Sequence, residues 1–198
     1  MTTVNQRARG YSLVELSFAM GVAATLAGVA VPQLGGSIDA YRAAGAARYL
    51  SGRMQRARME AVTRSREVAL RFSADAGGYS FATYMDGNRN GVLTREIESG
   101  VDPPIGSPER LPDNFRGTDI GVLPGLPAVD PGGAPPGADP LKLGVSNIVS
   151  FSPVGSSSSG SVYILGRGGN QYVVRIYGET GKTRVLKFNQ SLKQWLPI

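Results

Sequence analysis

The sequence contains no cysteine and no histidine. Without these residue types there is no Ser-His-Asp or Cys-His catalytic group, no disulfide, and none of the usual ligands for zinc, haem or iron–sulfur clusters. Any catalysis would depend on carboxylates, lysine, tyrosine or serine, and no pair of carboxylates with catalytic spacing stands out. The sequence therefore predicts a protein that is not an enzyme and has neither a metal site nor a cofactor.

Acidic residues are also scarce, with 15 Asp and Glu against 21 Lys and Arg in 198 residues. The formal net charge of +6 favours an anionic partner or a membrane surface without choosing between them. Hydrophobic residues make up 41% of the chain, which is enough for one core. The 27 glycines and 13 prolines indicate many turns and loops.

Charge is almost absent from residues 13–34 (LVELSFAMGVAATLAGVAVPQL), where Glu15 is the single charged residue. A helix that crosses the hydrocarbon of a membrane needs roughly 20 apolar residues, so this run is long enough. Arg7 and Arg9 precede it, and basic residues on that flank hold the N-terminal end in the cytoplasm. We therefore predict a single-pass topology with an outward-facing C-terminal domain.

The alternative interpretation of this segment is a secretory signal peptide. Such a peptide has a hydrophobic stretch of about 7–15 residues that ends in a small-x-small cleavage site, and the run here is longer. Glu15 is unusual in either case, because a carboxylate at the centre of a membrane costs about 2.5–3.5 kcal/mol and usually marks function. The other explanation for Glu15 is an interfacial carboxylate tolerated near a helix end.

The segment GYSLVEL at residues 10–16 resembles the processing site of type IV pilins and pseudopilins. In that family a short basic leader ends in Gly, an aromatic residue follows, and a Glu is the fifth residue after the cut. The resemblance implies that a prepilin peptidase cuts between Gly10 and Tyr11, removes residues 1–10, and methylates the new amine of Tyr11. It also implies that Glu15 pairs with the N-terminal amine of a neighbouring subunit during assembly.

The same resemblance implies a location, a set of partners and a function. The partners would be other pilin or pseudopilin subunits, the prepilin peptidase and an inner-membrane assembly platform. The chain would lie in the inner membrane through residues 11–34, with its C-terminal domain in the periplasm, until it is extracted into a filament. It would be a minor pilin or pseudopilin of a type II secretion pseudopilus or a type IV pilus. Pro32 would kink the long helix, because proline removes a backbone donor and crowds the preceding turn.

Residues 35–66 are predicted to continue the helix with an amphipathic pattern. Its apolar residues recur at steps of three or four or their multiples, and arginines occupy much of the remaining surface. A solvated face on a helix packed against a sheet is the favoured interpretation, and an electrostatic surface for an anionic partner is the alternative. The apolar positions are Ile38, Tyr41, Leu50, Met54, Ala57 and Ala61, and the arginines are Arg42, Arg48, Arg53, Arg56, Arg58, Arg64 and Arg66.

Residues 67–198 are predicted to form a β-rich globular domain, since alternating apolar residues recur in short runs. The stretch LSGRMQRARMEAVTR at residues 50–64 resembles the helix of the GspH/FimT-type pseudopilin domain, which leads into the first strand. We therefore predict an α+β fold in which a long N-terminal transmembrane helix runs into an antiparallel sheet. The predicted strands are 68–72, 79–84, 148–151, 161–165, 171–177 and 183–188, with a turn at 178–181.

Three loop segments have competing interpretations. The segment DGNRNG at 86–91 could open a calcium-binding loop, but Ile97 occupies the position of the bidentate Glu, so a hairpin loop between two strands is favoured. The segment GRGG at 166–169 could cradle a phosphate, but no helix follows it, so a hairpin turn is favoured. Residues 100–144 hold ten of the 13 prolines and are interpreted as a long loop or linker inserted between strands.

A DNA-binding minor pilin that acts in DNA uptake is the alternative function. Basic residues near the C-terminus alternate with Phe188 and Trp195, and cations beside aromatic rings suit contact with nucleic acid. Four cations on a terminal hairpin are also ordinary, and the leader would take two arginines with it, so this alternative is less favoured. The candidate nucleic-acid contacts are Lys182, Arg184, Lys187 and Lys193.

Overall fold

The computed structural model describes residues 10–198, apart from the side chains of residues 30–34. The helices predicted at 11–34 and 35–66 are one helix of 52 residues, α1 (Leu13–Arg64). The chain divides into two compact units between Ile38 and Asp39, so α1 contributes to both.

The second unit contains eleven further helices and strands. The six predicted strands are all present, within three residues of the expected bounds. In chain order the elements are β1 (Val68–Asp75), β2 (Gly78–Met85), α2 (Thr94–Ser99), α3 (Leu111–Asn114), β3 (Thr118–Ile120), β4 (Leu141–Lys142), β5 (Ile148–Phe151), β6 (Gly160–Gly166), β7 (Asn170–Tyr177), β8 (Lys182–Asn189) and β9 (Gln194–Pro197).

These strands form two antiparallel sheets. The smaller sheet has the order β2-β1-β5, and the larger has the order β3-β6-β7-β8-β9, with β4 also paired to β6. In the larger sheet Val174 on β7 lies opposite Val162 on β6 and Val185 on β8, so three valines cross one face. The prediction of an α+β fold, in which a helix is followed by antiparallel sheets, is confirmed.

The core of the second unit lies between α1 and the sheets. Small residues of α1 from Ala43 to Ala61 pack with Leu50 and Met54 against alternate residues of β6 and β7, since successive side chains of a strand point to opposite faces. The opposite face of the large sheet has its own cluster, built on Tyr163, Val173, Leu186 and Phe188 with Leu126. All three buried clusters lie within residues 43–188, so the second unit has a complete core of its own.

The prediction that residues 100–144 form a long loop or linker is wrong. This stretch contains α3, β3 and β4, and its side chains Leu111, Ile120 and Leu141 are buried in the main core. The two strands pair with β6 through their backbones, so they need few apolar residues of their own. A few widely spaced leucines and isoleucines therefore fix a segment that is rich in proline.

The side chain of Gln171 holds part of this segment in place. It is 1% exposed, and its amide nitrogen donates to the carbonyls of Gly121, Ile164 and Tyr172 at 3.0–3.1 Å. Its amide oxygen accepts the N–H of Leu123 at 2.9 Å. One buried amide thus contacts four backbone groups, two of them in the residues that follow β3.

The prediction of a β-hairpin around residues 86–91 is also wrong, because α2 occupies the position of the expected second strand. The loop is built around buried carboxylates instead. Asp86 accepts the backbone N–H groups of Asn88, Arg89 and Gly91 at 2.6–3.0 Å. Asp102 accepts those of Gly87 and Leu93 at 3.0 and 2.9 Å. These bonds close the loop on itself, and the free edge of β2 pairs instead with residues 103–109, through bridges of Phe81 with Glu109 and of Tyr84 with Pro104.

Candidate assembly site

The helix α1 begins at a capping residue that also belongs to the predicted processing motif. Ser12 precedes the first helical residue, and its Oγ accepts the N–H of Glu15 at 3.2 Å. Ser-x-x-Glu is the spacing of a capping box, and a carboxylate in the first turn interacts favourably with the helix dipole. Glu15 therefore lies in the first turn of α1. The Ser-x-x-Glu spacing in the sequence is a signal that could have predicted this position.

The first part of α1 presents apolar side chains on every side. All of residues 10–29 are exposed, including Tyr11 at 85%, Leu13 at 81% and Phe18 at 74%. A helix that is apolar all round is stable in water only when other protein or lipid covers it. The remaining large exposed side chains of this segment are Val14, Leu16, Met20, Val22, Leu26 and Val29.

Within the part of the chain that the structure describes, no helix is both long and apolar enough to cross a membrane. The membrane span predicted at residues 11–34 is therefore not confirmed. Arg7 and Arg9 of the predicted leader lie outside the described residues, as does the side chain of Pro32. Cleavage, topology and the helix kink stay predictions.

Two arginines of α1 bind parts of the second unit outside the helix, and two others pair with acids of α1 itself. The guanidinium of Arg53 lies 2.5 Å from Glu109, and Arg58 donates to the carbonyl of Gly155 at 2.8 Å. These contacts favour the interpretation of α1 as a helix packed against sheets over the interpretation of its arginines as a free basic surface. The other contacts are Arg42 with Asp39, Arg64 with Glu60, and Arg66 with the carbonyls of Asp86 and Gly87.

The four basic residues proposed for nucleic-acid contact do not share one face. Lys182 and Arg184 are exposed on the face of β8 that points away from α1, whereas Lys187 lies on the face towards α1. The Nζ of Lys187 is 6.0 Å from the centre of the Tyr172 ring. Lys193 lies in the turn between β8 and β9. The structure therefore separates the predicted contacts, and DNA binding stays a prediction.

The two aromatic residues of that prediction belong to the second buried cluster. The rings of Phe188 and Trp195 are 5.2 Å apart, and Trp195 also meets the ring of Tyr163 at 5.9 Å. The indole N–H of Trp195 donates to the carbonyl of Pro127 at 3.1 Å. Both rings are thus occupied inside the domain and do not offer a free face on which a base could stack.

The loops offered as ligand sites have structural roles. In residues 10–198, no group of three or more His, Cys, Asp or Glu side chains could hold a metal ion. The carboxylate of Glu96 in the 86–102 loop accepts the side-chain amides of Asn88 and Asn90 at 3.1 and 2.9 Å. Residues 167–169 form a short 3-10 turn between β6 and β7, as the hairpin-turn interpretation predicts.

A comparison with protein-family models shows the family to which the chain belongs. Residues 46–180, about two thirds of the chain, match the family described as type II transport protein GspH. The chain belongs to the GspH family. No curated protein and no solved structure matches the chain. The GspH family consists of structural, non-enzymatic pseudopilins, which associate with other pseudopilins in type II secretion.

The GspH match begins inside α1 and ends in the turn between β7 and β8. The matched range therefore includes residues 50–64, whose sequence resembles the helix of the GspH/FimT-type domain. It also includes the Pro-rich segment at 100–144. The candidate processing residues Gly10, Tyr11 and Glu15 lie outside the matched range. Their roles depend on the motif and on the geometry of the first helical turn alone.

Proposed function

We propose that this GspH-family chain is a minor pseudopilin that a prepilin peptidase cuts between Gly10 and Tyr11 and methylates at the new amine of Tyr11. After processing, the subunit enters the filament of a type II secretion machine and takes part in its assembly. The observation that carries the proposal is the helix over residues 13–29, which is apolar on all sides and fully exposed in the isolated chain. Packing among the equivalent helices of neighbouring subunits would cover that surface.

Before assembly, the same helix would be covered by the inner membrane. Residues 11–34 would cross it once, with Arg7 and Arg9 on the cytoplasmic side and residues 67–198 in the periplasm. The run of apolar residues and the basic flank in the sequence support this topology. The assembly platform of the secretion machine would then extract the helix into the filament.

Glu15 would provide the charge that aligns one subunit with the next. Inside a bundle of apolar helices an unpaired carboxylate is costly, whereas a carboxylate paired with an amine is tolerated. Cleavage after Gly10 would create that amine at Tyr11 of a neighbouring subunit. The capping bond joins the backbone N–H of Glu15 to the hydroxyl of Ser12 and does not involve the carboxylate of Glu15.

Replacement of Glu15 tests this role in the full chain, expressed with its peptidase and secretion machine. We expect Glu15→Val and Glu15→Gln to be processed normally but lost from the filament, as measured by the mass of the mature subunit and by its recovery in sheared filaments. Glu15→Gln is the critical variant, because Gln is also tolerated in a capping box but has no charge. Ser12→Ala is the matched control, since it removes the cap and keeps the carboxylate. Normal incorporation of Glu15→Gln would contradict the role of the charge.

The processing step has its own test. The mature subunit should lack residues 1–10 and carry one methyl group on the amine of Tyr11, which mass spectrometry of the N-terminal peptide would detect. A mature chain that starts elsewhere, or that keeps its leader in the presence of the peptidase, would contradict the proposed processing. The type IV pilus is the alternative assembly, and neighbouring genes for a secretin and a secretion ATPase would favour type II secretion over it.

A further inference from the structure

Three loops meet at one end of the second unit: residues 115–117, 167–169 and 190–193. They meet because β7 begins at the end of the sheet where β8 finishes. The side chain of Gln190 donates to the carbonyl of Gly169 at 3.2 Å. The N–H of Arg167 donates to the carbonyl of Gly117 at 3.1 Å. The three loops therefore form one connected surface, which we call the loop end.

The loop end lies where α1 enters the second unit. The hydroxyl of Tyr172, near the start of β7, donates to the carbonyl of Ala40 at 3.4 Å. The ring of Phe115 lies directly against Gly45 of α1. Residues 40–45 of α1 therefore pack at the loop end.

The exposed cations of the loop end outnumber its exposed, unpaired acids. Arg116, Arg167 and Lys193 are exposed, and none of them makes an ion pair with a described residue. Asp113 is the exposed, unpaired acid beside them. Other charged groups nearby are the half-buried Lys187, the paired Arg42 with Asp39, the paired Arg110 with Asp75, and the half-buried Asp119.

An apolar side chain lies beside one of these cations, on the same loop end. Leu192 is 59% exposed at the tip of the turn between β8 and β9, next to Lys193. The Oδ1 of Asn189 accepts the N–H groups of Ser191 and Leu192, both at 3.0 Å, which fixes the turn and holds its tip outward. An exposed apolar residue beside a cation is suited to the boundary between lipid headgroups and acyl chains.

We propose that the loop end binds an anionic phospholipid surface. Arg116, Arg167 and Lys193 contact headgroup phosphates, and Leu192 enters the boundary with the acyl chains. The inference rests on the proposed membrane residence of residues 11–34 and assigns a second membrane contact to the globular unit. Nucleic acid also presents phosphates, but the aromatic rings that would stack on bases are packed inside the domain, whereas Leu192 is free for lipid.

A fragment of residues 39–198 tests the proposal, because it contains the complete core and lacks the apolar segment. We expect it to co-sediment with vesicles of phosphatidylcholine and phosphatidylglycerol but not with vesicles of phosphatidylcholine alone. It should dissociate from the anionic vesicles as the salt concentration is raised. Each cation near an anionic surface contributes about fivefold in affinity, so Arg116→Gln with Arg167→Gln should weaken binding about thirtyfold. Leu192→Ser should weaken it further at constant charge.

The matched control is Lys182→Gln with Arg184→Gln, which removes the same charge at the opposite end of β8 and should change binding little. Equal binding to neutral vesicles, or equal loss in the control, would overturn the proposal. Duplex DNA is the competing ligand, and tighter binding to DNA that the same Arg116 and Arg167 changes abolish would reassign the surface to nucleic acid. Since the fragment lacks Gly10, Tyr11 and Glu15, this result is independent of the tests of processing and assembly.

Discussion

The guanidinium of Arg53 lies 2.5 Å from one carboxylate oxygen of Glu109, and the hydroxyl of Tyr49 donates a hydrogen bond to the other oxygen. Arg53 and Tyr49 belong to α1, whereas Glu109 lies in the Pro-rich segment and exchanges two backbone bonds with Phe81 of β2 at 2.9 Å. One carboxylate thus joins the helix to the smaller sheet. The arrangement also leaves the buried Nε of Arg53 without a hydrogen-bond partner.

Replacement of Glu109 by leucine should destabilise the second unit, because it leaves the charge of Arg53 half-buried and unpaired. We expect a loss of about 1–3 kcal/mol in the free energy of unfolding, measured with urea on residues 39–198. The double variant Glu109→Leu with Arg53→Met should recover much of that loss, since it removes the orphaned charge. A double variant that is as unstable as the sum of the two single variants would show that the pair is not coupled.

Alkaline pH should destabilise the domain through its tyrosines. Burial raises the pKa of Tyr163 from 10.0 to about 12. The pKa of Tyr49 is also raised, mainly by its hydrogen bond to Glu109. Because the unfolded chain loses these protons first, the stabilisation is complete below pH 10 and is lost as pH rises from 10 towards 12. Unfolding in urea across this range, with tyrosinate absorbance, measures the effect.

Tyr163→Phe is the control for that titration. It should remove the step of highest pKa from the absorbance curve and make stability less sensitive to pH above 10. If Tyr163 instead ionised together with the exposed tyrosines, its side chain would be in contact with water and the burial argument would be wrong.

The sequence predicts elements whose signal is local. Alternation over four to eight residues predicted β1, β2 and β5 to β8, and the spacing of Gly10, Tyr11 and Glu15 defined a candidate processing site without any tertiary contact. The strands β3 and β9 were missed, as was β4. The strand β9 is as long as β5 but is mostly exposed and is held by pairing with β8. The strands β3 and β4 are three and two residues long and are held by pairing with β6. Two or three residues cannot display a period, so their partner determines their conformation.

Charged and polar residues were the other reason why the sequence-based predictions differed from the structure. Asp86, Asp102 and Gln171 are buried because they bond to backbone groups, which lie nearby in the chain for Asp86 and far away for Gln171. In the sequence these residues are indistinguishable from surface residues of a loop. For the same reason the basic residues near the C-terminus, adjacent in sequence, were grouped together although the alternation of β8 separates Lys187 from Lys182 and Arg184.

Gln171→Met should be strongly destabilising, because it leaves one N–H and three carbonyls around a buried side chain without this partner. We expect a loss of about 2–4 kcal/mol in the free energy of unfolding, and faster hydrogen exchange at the amide of Leu123. Gln190→Met is the control, since Gln190 is exposed and makes one bond, and its loss should stay within about 0.5 kcal/mol. Similar losses in both variants would contradict the role given to Gln171.

Two glycines should respond to alanine with opposite signs. A Cβ on Gly87 would lie 1.9 Å from the backbone carbonyl oxygen of Val101, and the adjoining loop is held by the bond from the Gly87 N–H to Asp102. The backbone would have to move, so we expect Gly87→Ala to cost about 2 kcal/mol or more. Gly52 lies inside α1 with open space around its Cβ position, and Gly52→Ala should gain about 0.5–1 kcal/mol through reduced entropy of the unfolded chain.

Thermal unfolding of both variants on residues 39–198 measures the contrast. The helix propensity of alanine acts only at Gly52, whereas the steric term acts only at Gly87. The loss in Gly87→Ala relative to the original chain therefore reports the close approach of the two loop backbones, and Gly52→Ala shows that alanine itself is not destabilising. If Gly87→Ala were as stable as the original chain, the backbones at Gly87 and Val101 would be further apart in solution. The carboxylate of Asp102 would then not hold them together, and the buried-carboxylate account of this loop would fail.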